Sequence, residues 1–257
     1  MSYFDIFCNG IIDSLNINKQ SNKVFIYILD MNKYSYKLTQ LWNSLSFEEK
    51  EKAESYNSKL LTERYIISHG ILRYILSYYT NHLPTNIEFI FNKYGKPYLK
   101  NSKVKFNMSH SHNLVCYIVT FDNEVGIDIE LYDNNLNVNE LSKLVFTPQE
   151  AILFDDLNSQ EKHITFFNIW TKKEALIKAI GKGFYYPIDT IKILNIIPDS
   201  KVTLMDNNIK QEFYIHVFDR IPNYFGAIAN KIKINEIVYI ETYNKYGIFD
   251  NVQVVKL

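Results

Sequence analysis

Two periodicities divide this chain, and together they limit what it can fold into. From about Leu60 to Tyr79 the apolar residues Ile66, Ile67, Ile71, Leu72, Ile75 and Leu76 recur at helical spacing, and a longer helical stretch runs from roughly Gln160 to Ile180. Around them lie short strand-like runs, several alternating with period two: Val24 to Leu29, Ile87 to Phe91, Val104 to Met108, Leu114 to Thr120 and Gly126 to Glu130. More follow the second helix: Ile191 to Leu194, Lys201 to Met205, Phe213 to Phe218, Tyr224 to Ala229, Ile237 to Tyr243 and Val252 to Val255. Helices and non-adjacent strands mix throughout, which predicts an α+β fold. With 257 residues, 47% hydrophobic and 15% aromatic, the chain can bury the core of one large domain or two small ones.

Capping and turn residues punctuate the pattern. Ser46-Phe47-Glu48-Glu49 is a capping box that starts a helix carrying Lys50 and Lys52. Thr147-Pro148-Gln149-Glu150 starts another, with Thr147 as its N-cap, and Gly181-Lys182-Gly183 stops the long helix. Tyr94-Gly95-Lys96-Pro97 reads as a turn, Ser109-His110-Ser111-His112 as the separator of two strands, and the Asn-rich segment Tyr132 to Asn139 as a loop. Arg64 and Arg73 fall outside the apolar stripe of their helix and are expected at the surface, Arg64 free to meet an anion.

Charge and cysteine usage exclude several classes. Lys plus Arg equals Asp plus Glu at 28 each, so no global field recruits nucleic acid or a membrane, and an anion site has to be a local cluster. The opening MSYFDIFCNG reads as no secretion signal and no run is apolar enough for a membrane span, which makes the cytoplasm the expected compartment. Cys8 and Cys116 lie far apart in apolar stretches and are expected to be buried, reduced thiols.

The chemistry concentrates on a few polar residues. Asp128 and Glu130, two apart on a strand, project to one side, and two adjacent carboxylates repel unless water or a hard cation such as Mg²⁺ sits between them. On the long helix Glu174 and Lys178 are four apart and share a face with Trp170; alone they amount to an ordinary helix ion pair, but Glu174 also supplies the third carboxylate that a Mg²⁺ site lacks. Lys50, Lys52, Arg64, Lys96, His110 and Lys178 are the candidates to meet phosphate. His110 and His112 lack a third zinc ligand at the usual spacing, and neither Gly95-Lys96 nor Gly181-Lys182-Gly183 has the spacing of a phosphate-binding P-loop.

Taken in order, Tyr94 to Leu99, then Phe106-Asn107-Met108-Ser109-His110-Ser111, then Gly126 to Glu130, then Trp170 to Lys178 with Gly181-Lys182-Gly183, this constellation resembles the 4′-phosphopantetheinyl transferases of the surfactin-synthetase-activating (Sfp) type. The resemblance covers roughly residues 46 to 190. It implies two similar α/β halves in a pseudo-twofold arrangement, each with a small, three-stranded antiparallel sheet and a long helix, divided as 1–123 and 124–257 with the active site in the cleft between them. It further implies transfer of phosphopantetheine from coenzyme A to a serine of an apo carrier protein, an acyl or peptidyl carrier of non-ribosomal peptide, polyketide or fatty-acid synthesis, with release of adenosine 3′,5′-bisphosphate, by a monomer.

By the same matching, Asp128, Glu130 and Glu174 would hold Mg²⁺, or Mn²⁺ in its place. Glu174 would act as base for the serine and Lys178 would meet the leaving phosphate. Arg64, Ser109 and His110 would meet the 3′-phosphate of the coenzyme, and Lys96 with Pro97 would border its adenine. Lys50 and Lys52 both remain candidates for a phosphate contact. Two other readings stand beside this one: a Mg²⁺-dependent phosphohydrolase, and a non-catalytic carrier-binding protein.

Overall fold

Every residue from Val24 to Leu29 is at most 3% exposed, so the strand they form, β1 (Lys23–Asp30), sits inside a sheet with both faces covered. The computed structural model describes residues 22–193, 200–206, 209–242 and 251–256. After β1 come helices α1 (Leu38–Ser44), α2 (Phe47–Glu54) and α3 (Lys59–Thr80), the hairpin β2 (Phe89–Phe91) and β3 (Pro97–Leu99), and strands β4 (Val104–Ser111), β5 (Leu114–Phe121) and β6 (Val125–Leu131). Helices α4 (Val138–Val145), α5 (Pro148–Asp155) and α6 (Ser159–Ile180) follow, then β7 (Ser200–Asp206), β8 (Ile209–Phe218), β9 (Tyr224–Asn230), β10 (Glu236–Thr242) and β11 (Asn251–Lys256).

The strands form two main sheets, ordered β11-β10-β1-β5-β4 and β6-β9-β8-β7. Each contains the expected three-stranded antiparallel unit, β1-β5-β4 in one and β6-β9-β8 in the other. Strands join these units at their edges: β7 adds to the second, and β10, parallel to β1, adds to the first with β11 beside it. Residues 124–257 therefore supply strands to both sheets.

Alternation along β1 sets the layers. Phe25, Tyr27 and Leu29 point to a core shared with α3, while Val24, Ile26 and Ile28 point to a second core shared with Ile127 and Ile129 of β6. On the far side of the second sheet, Ala227 and Ala229 of β9 pack against Ala175, Leu176 and Ala179 of α6. The order is thus α3, first sheet, second sheet, α6, in agreement with the α+β expectation.

Helix ends follow the capping chemistry. Ser46 and Glu49 close a capping box on α2, Thr147 and Glu150 on α5, and Asn158 and Glu161 on α6, while Gly181 ends α6 at φ 76°. Cys116 is fully buried, and burial pushes its thiol pKa up, so it is an inert core residue; Cys8 lies outside the described residues. No described helix is long and apolar enough to cross a membrane.

Four local expectations need correction. Arg73 is 1% exposed: Nε donates to Glu49 at 2.6 Å and Nη1 to the carbonyls of Pro84 and Ile87, so the guanidinium ties α2 to α3 from inside. Ser109, His110 and Ser111 continue β4, and the turn is confined to His112 and Asn113, with His112 at φ 56°. The segment after Tyr132 is a loop only as far as Asn137, whose side chain accepts from Glu140 N and caps α4. Ile191 to Ile193 form no strand; Ile191 and Ile193 are buried against α6, and Leu194 lies outside the described residues.

Candidate active site

Strands β4 and β6 lie side by side at the edges of their sheets without pairing through their backbones, and side chains join them instead. Successive odd residues of β4 face β6. Lys105 pairs with Glu124 at 3.0 Å, Asn107 Oδ1 accepts from Ile127 N at 3.0 Å, Ser109 Oγ donates to Asp128 Oδ1 at 2.9 Å, and Ser111 Oγ donates to Glu130 Oε2 at 2.9 Å. This polar seam aligns the two carboxylates with the first sheet.

Helix α6 closes the site from the other side, and Gly126 sets how closely. A Cβ at Gly126 would lie 2.1 Å from the Ala175 carbonyl oxygen and 2.5 Å from Ala179 N, both backbone atoms that cannot yield. With glycine there, the face bearing Trp170, Glu174 and Lys178 comes down on Asp128 and Glu130. Trp170 Nε1 donates to Glu130 Oε1 at 3.3 Å. Lys178 leaves its own helix: Nζ donates to Asp128 Oδ1 at 2.6 Å and to Ser109 Oγ at 2.8 Å.

The electrostatics follow from this crowding. Burial, then the neighbouring Asp128 charge, raise the pKa of Glu130. For Glu174, burial comes first and Asp128 next, against the opposing charge of Lys178, and the carboxyl is pushed up to about 7. Asp128 itself is 2% exposed, and its Oδ2 is buried with no hydrogen-bond partner. A buried carboxylate oxygen without a donor costs about 1–3 kcal/mol or more. Three crowded acids, one with an unsatisfied oxygen, form a donor set that a hard divalent cation suits, although no described His, Cys, Asp or Glu side chains are gathered as a closed group of three around a single point.

The opposite wall carries the basic residues. Arg64 on α3 donates from Nη2 to Asn113 Oδ1 at 2.6 Å, and its Nε is buried without a partner. His110 is exposed at the end of β4, its pKa lowered by desolvation and then by the charges of Lys178 and Arg64. Ser109 and Lys178 touch Asp128 directly, and His110 lies within electrostatic reach of Asp128, Lys178 and Arg64.

Lys96, Pro97 and Lys52 are placed otherwise. Lys96 is 9% exposed, and its Nζ donates to Glu124 at 3.0 Å, Ala179 O at 3.0 Å and Val125 O at 3.3 Å. All three ammonium protons are engaged. With Asn92 Nδ2 donating to Gly181 O at 2.7 Å, this turn caps the carboxyl end of α6, where a cation also complements the helix dipole, and so fixes the turn of helix that bears Lys178. Pro97 opens β3 opposite Phe91. Lys52 is exposed on α2, 5.2 Å from the Tyr56 ring, and Lys50 lies 5.6 Å from the Trp42 ring.

Sequence reasoning missed Asn107, Ser111, Asn113 and the indole N–H of Trp170. The first two follow from reading Asn107-Met108-Ser109-His110-Ser111 as a strand with every second residue on one face. Lys173 was also passed over: it is fully buried on a neighbouring face of α6 and pairs with Glu150 at 2.6 Å, anchoring α5.

Part of the chain is similar to proteins already known. Residues 124–228, which include Asp128, Glu130, Glu174 and Lys178, match the 4′-phosphopantetheinyl transferase superfamily. The chain is 32% identical over 172 residues to the 4′-phosphopantetheinyl transferase HetI of Nostoc sp., covering 65% of this chain and 73% of that one. It is 31% identical over 153 residues to the 4′-phosphopantetheinyl transferase gsp of Aneurinibacillus migulanus, covering 60% and 63%. With the 4′-phosphopantetheinyl transferase Sfp of Bacillus subtilis the identity is 28% over 189 residues, covering 72% and 81%.

Proposed function

This chain belongs to the 4′-phosphopantetheinyl transferase family, enzymes that place phosphopantetheine on carrier proteins, and we propose that its donor is coenzyme A, its metal Mg²⁺ and its acceptor a serine of an acyl or peptidyl carrier domain. The observation that carries this reading is the meeting of Asp128, Ser109 and Lys178 at one point, with Glu174 held near neutrality beside it.

In the proposed reaction the serine oxygen forms a bond to the phosphorus bearing the pantetheine arm, and the bridging P–O bond of the pyrophosphate breaks. Adenosine 3′,5′-bisphosphate departs with the electron pair. A Mg²⁺ held by Asp128, Glu130 and Glu174 would supply Lewis-acid neutralisation of the pyrophosphate charge. Glu174, beside Asp128, accepts the serine proton directly or through water. Lys178 donates from Nζ to the departing phosphate; at 27% side-chain exposure it is near enough to solvent to move from Asp128 to the ligand.

Arg64, Ser109 and His110 receive the 3′-phosphate, Arg64 with a buried Nε that has no protein partner. Lys96 acts through the helix end it caps, and the turn containing it, with Pro97, borders the adenine. Lys52 lies on the exposed rim, where it meets a phosphate only from solvent. The chain works as a monomer in the cytoplasm, and nothing in its charge balance calls for nucleic acid or a membrane.

The test is incubation with coenzyme A, Mg²⁺ and a panel of apo acyl and peptidyl carrier domains, followed by intact mass. A phosphopantetheine increment on at least one carrier, with stoichiometric adenosine 3′,5′-bisphosphate, is the expected result. Phosphate release from small esters without any increment would overturn it in favour of a phosphohydrolase.

A further inference from the structure

Glu130 is the only one of the three carboxylates whose two oxygens are both held by neutral donors from different elements. Ser111 Oγ, on β4, donates to Oε2 at 2.9 Å, and Trp170 Nε1, on α6, donates to Oε1 at 3.3 Å. Ser111 is itself fixed, because its oxygen accepts from Leu131 N at 3.0 Å, so its single proton is directed at the carboxylate. Trp170 is fixed as well, stacked on Phe166 with ring centroids 6.1 Å apart. Asp128, in contrast, keeps one oxygen without a partner.

We infer that Ser111 and Trp170 are positioning residues that lock the Glu130 carboxylate in the orientation required of a metal ligand, one donor from each half of the site. The inference rests on the reading that Asp128, Glu130 and Glu174 hold a divalent cation. Outer groups that donate to a ligating carboxylate fix its rotamer before the metal arrives, and losing one typically lowers metal affinity by about 10–100-fold. The clamp also couples the halves: β4 and α6 must both be in place before Glu130 is set.

The experiment is titration of the full chain with Mn²⁺, following the free ion by electron paramagnetic resonance, for the parent protein and Glu130→Gln, Ser111→Ala, Ser111→Thr, Trp170→Phe and Asn107→Ala. Asn107 belongs to the same seam but bonds Ile127 N and not a carboxylate, so Asn107→Ala reports loosening of the seam alone. The expected result is Mn²⁺ affinity about tenfold or more weaker in Ser111→Ala and Trp170→Phe, restored by the hydroxyl of Ser111→Thr and close to the parent in Asn107→Ala. Should Ser111→Ala fail to fold, Trp170→Phe decides.

Loss of Mn²⁺ binding in Glu130→Gln with parental affinity in Ser111→Ala and Trp170→Phe would overturn the clamp and leave the metal site standing. Equal weakening in Asn107→Ala and Ser111→Ala would reduce Ser111 to a structural bond. A parent protein that binds no Mn²⁺, or a Glu130→Gln variant that binds it unchanged, would overturn the metal reading and the clamp with it.

Discussion

Replacing Glu174 by glutamine should stabilise the metal-free protein above neutral pH. The side chain is part-buried beside Asp128, and its carboxyl is pushed from an ordinary 4.5 up to about 7, by burial first and by Asp128 second. The folded state therefore keeps a proton that the unfolded chain has already lost. Folding stability falls as pH rises from about 4.5 to about 7, and the full cost persists above that.

At about 1.4 kcal/mol per pH unit the displacement corresponds to roughly 3 kcal/mol, and screening from the open side of the site reduces it to about 1–2 kcal/mol. Glutamine has nearly the same shape and no charge to suppress. For a chain of this size the gain amounts to a rise in Tm of about 3–6 °C at pH 8 and close to none at pH 5. The assay is thermal unfolding of parent and Glu174→Gln in chelator-treated buffer at both pH values, repeated with Mg²⁺. Added Mg²⁺ should raise the parent's Tm at pH 8 and erase the variant's advantage. A variant no more stable than the parent at pH 8, or equally stabilised at pH 5, would refute the claim that the three acids confine one another.

Three further outcomes follow from the packing. Lys178→Ala should lower kcat about 10²-fold or more while coenzyme binding weakens much less, because the ammonium acts on charge that develops late; equal loss in both would make it a binding group only. Arg73→Leu should cost about 3–5 kcal/mol in urea unfolding, since it strands Glu49 and the carbonyls of Pro84 and Ile87 inside the protein; a loss below about 1 kcal/mol would contradict the buried lock. Gly126→Ala should destabilise by about 1–3 kcal/mol and suppress transfer together, as α6 is pushed off β6, and undiminished transfer would show that the close approach is not needed.

How far the sequence carried the reading depended on whether the deciding interaction was local. The capping boxes at Ser46 and Thr147 and the glycine stop at Gly181 each satisfy backbone groups within one turn, so local spacing exposed them. Asp128 and Glu130 were legible as a pair because strand alternation places them on one face. Arg73 was not, since its burial depends on Glu49 arriving from another helix. The reach of Lys178 to Asp128, fifty residues away, likewise depends on how α6 meets β6, and helical spacing showed only its neighbour Glu174.

Ser109 to Ser111 misled because serine and histidine are weak strand formers; the seam with β6 holds them extended. The placing of β10 beside β1 joins residues more than two hundred apart in parallel, a register that no local pattern encodes. Lys96 was one of several cations expected to meet phosphate, whereas the structure commits its ammonium to Glu124 and to the end of α6.

We propose that Asp128, on β6, and the α6 face opposite it form one phosphopantetheine-transferring centre. The measurement is the rate at which phosphopantetheine appears on an apo carrier domain, by intact mass, for parent and Asp128→Ala at saturating coenzyme A and Mg²⁺. Asp128→Ala keeps the fold, because Lys178 can turn to solvent from its partly exposed position. Rapid modification by the parent and none above background by a folded Asp128→Ala protein is the expected outcome. Near-parental turnover by that variant would contradict it.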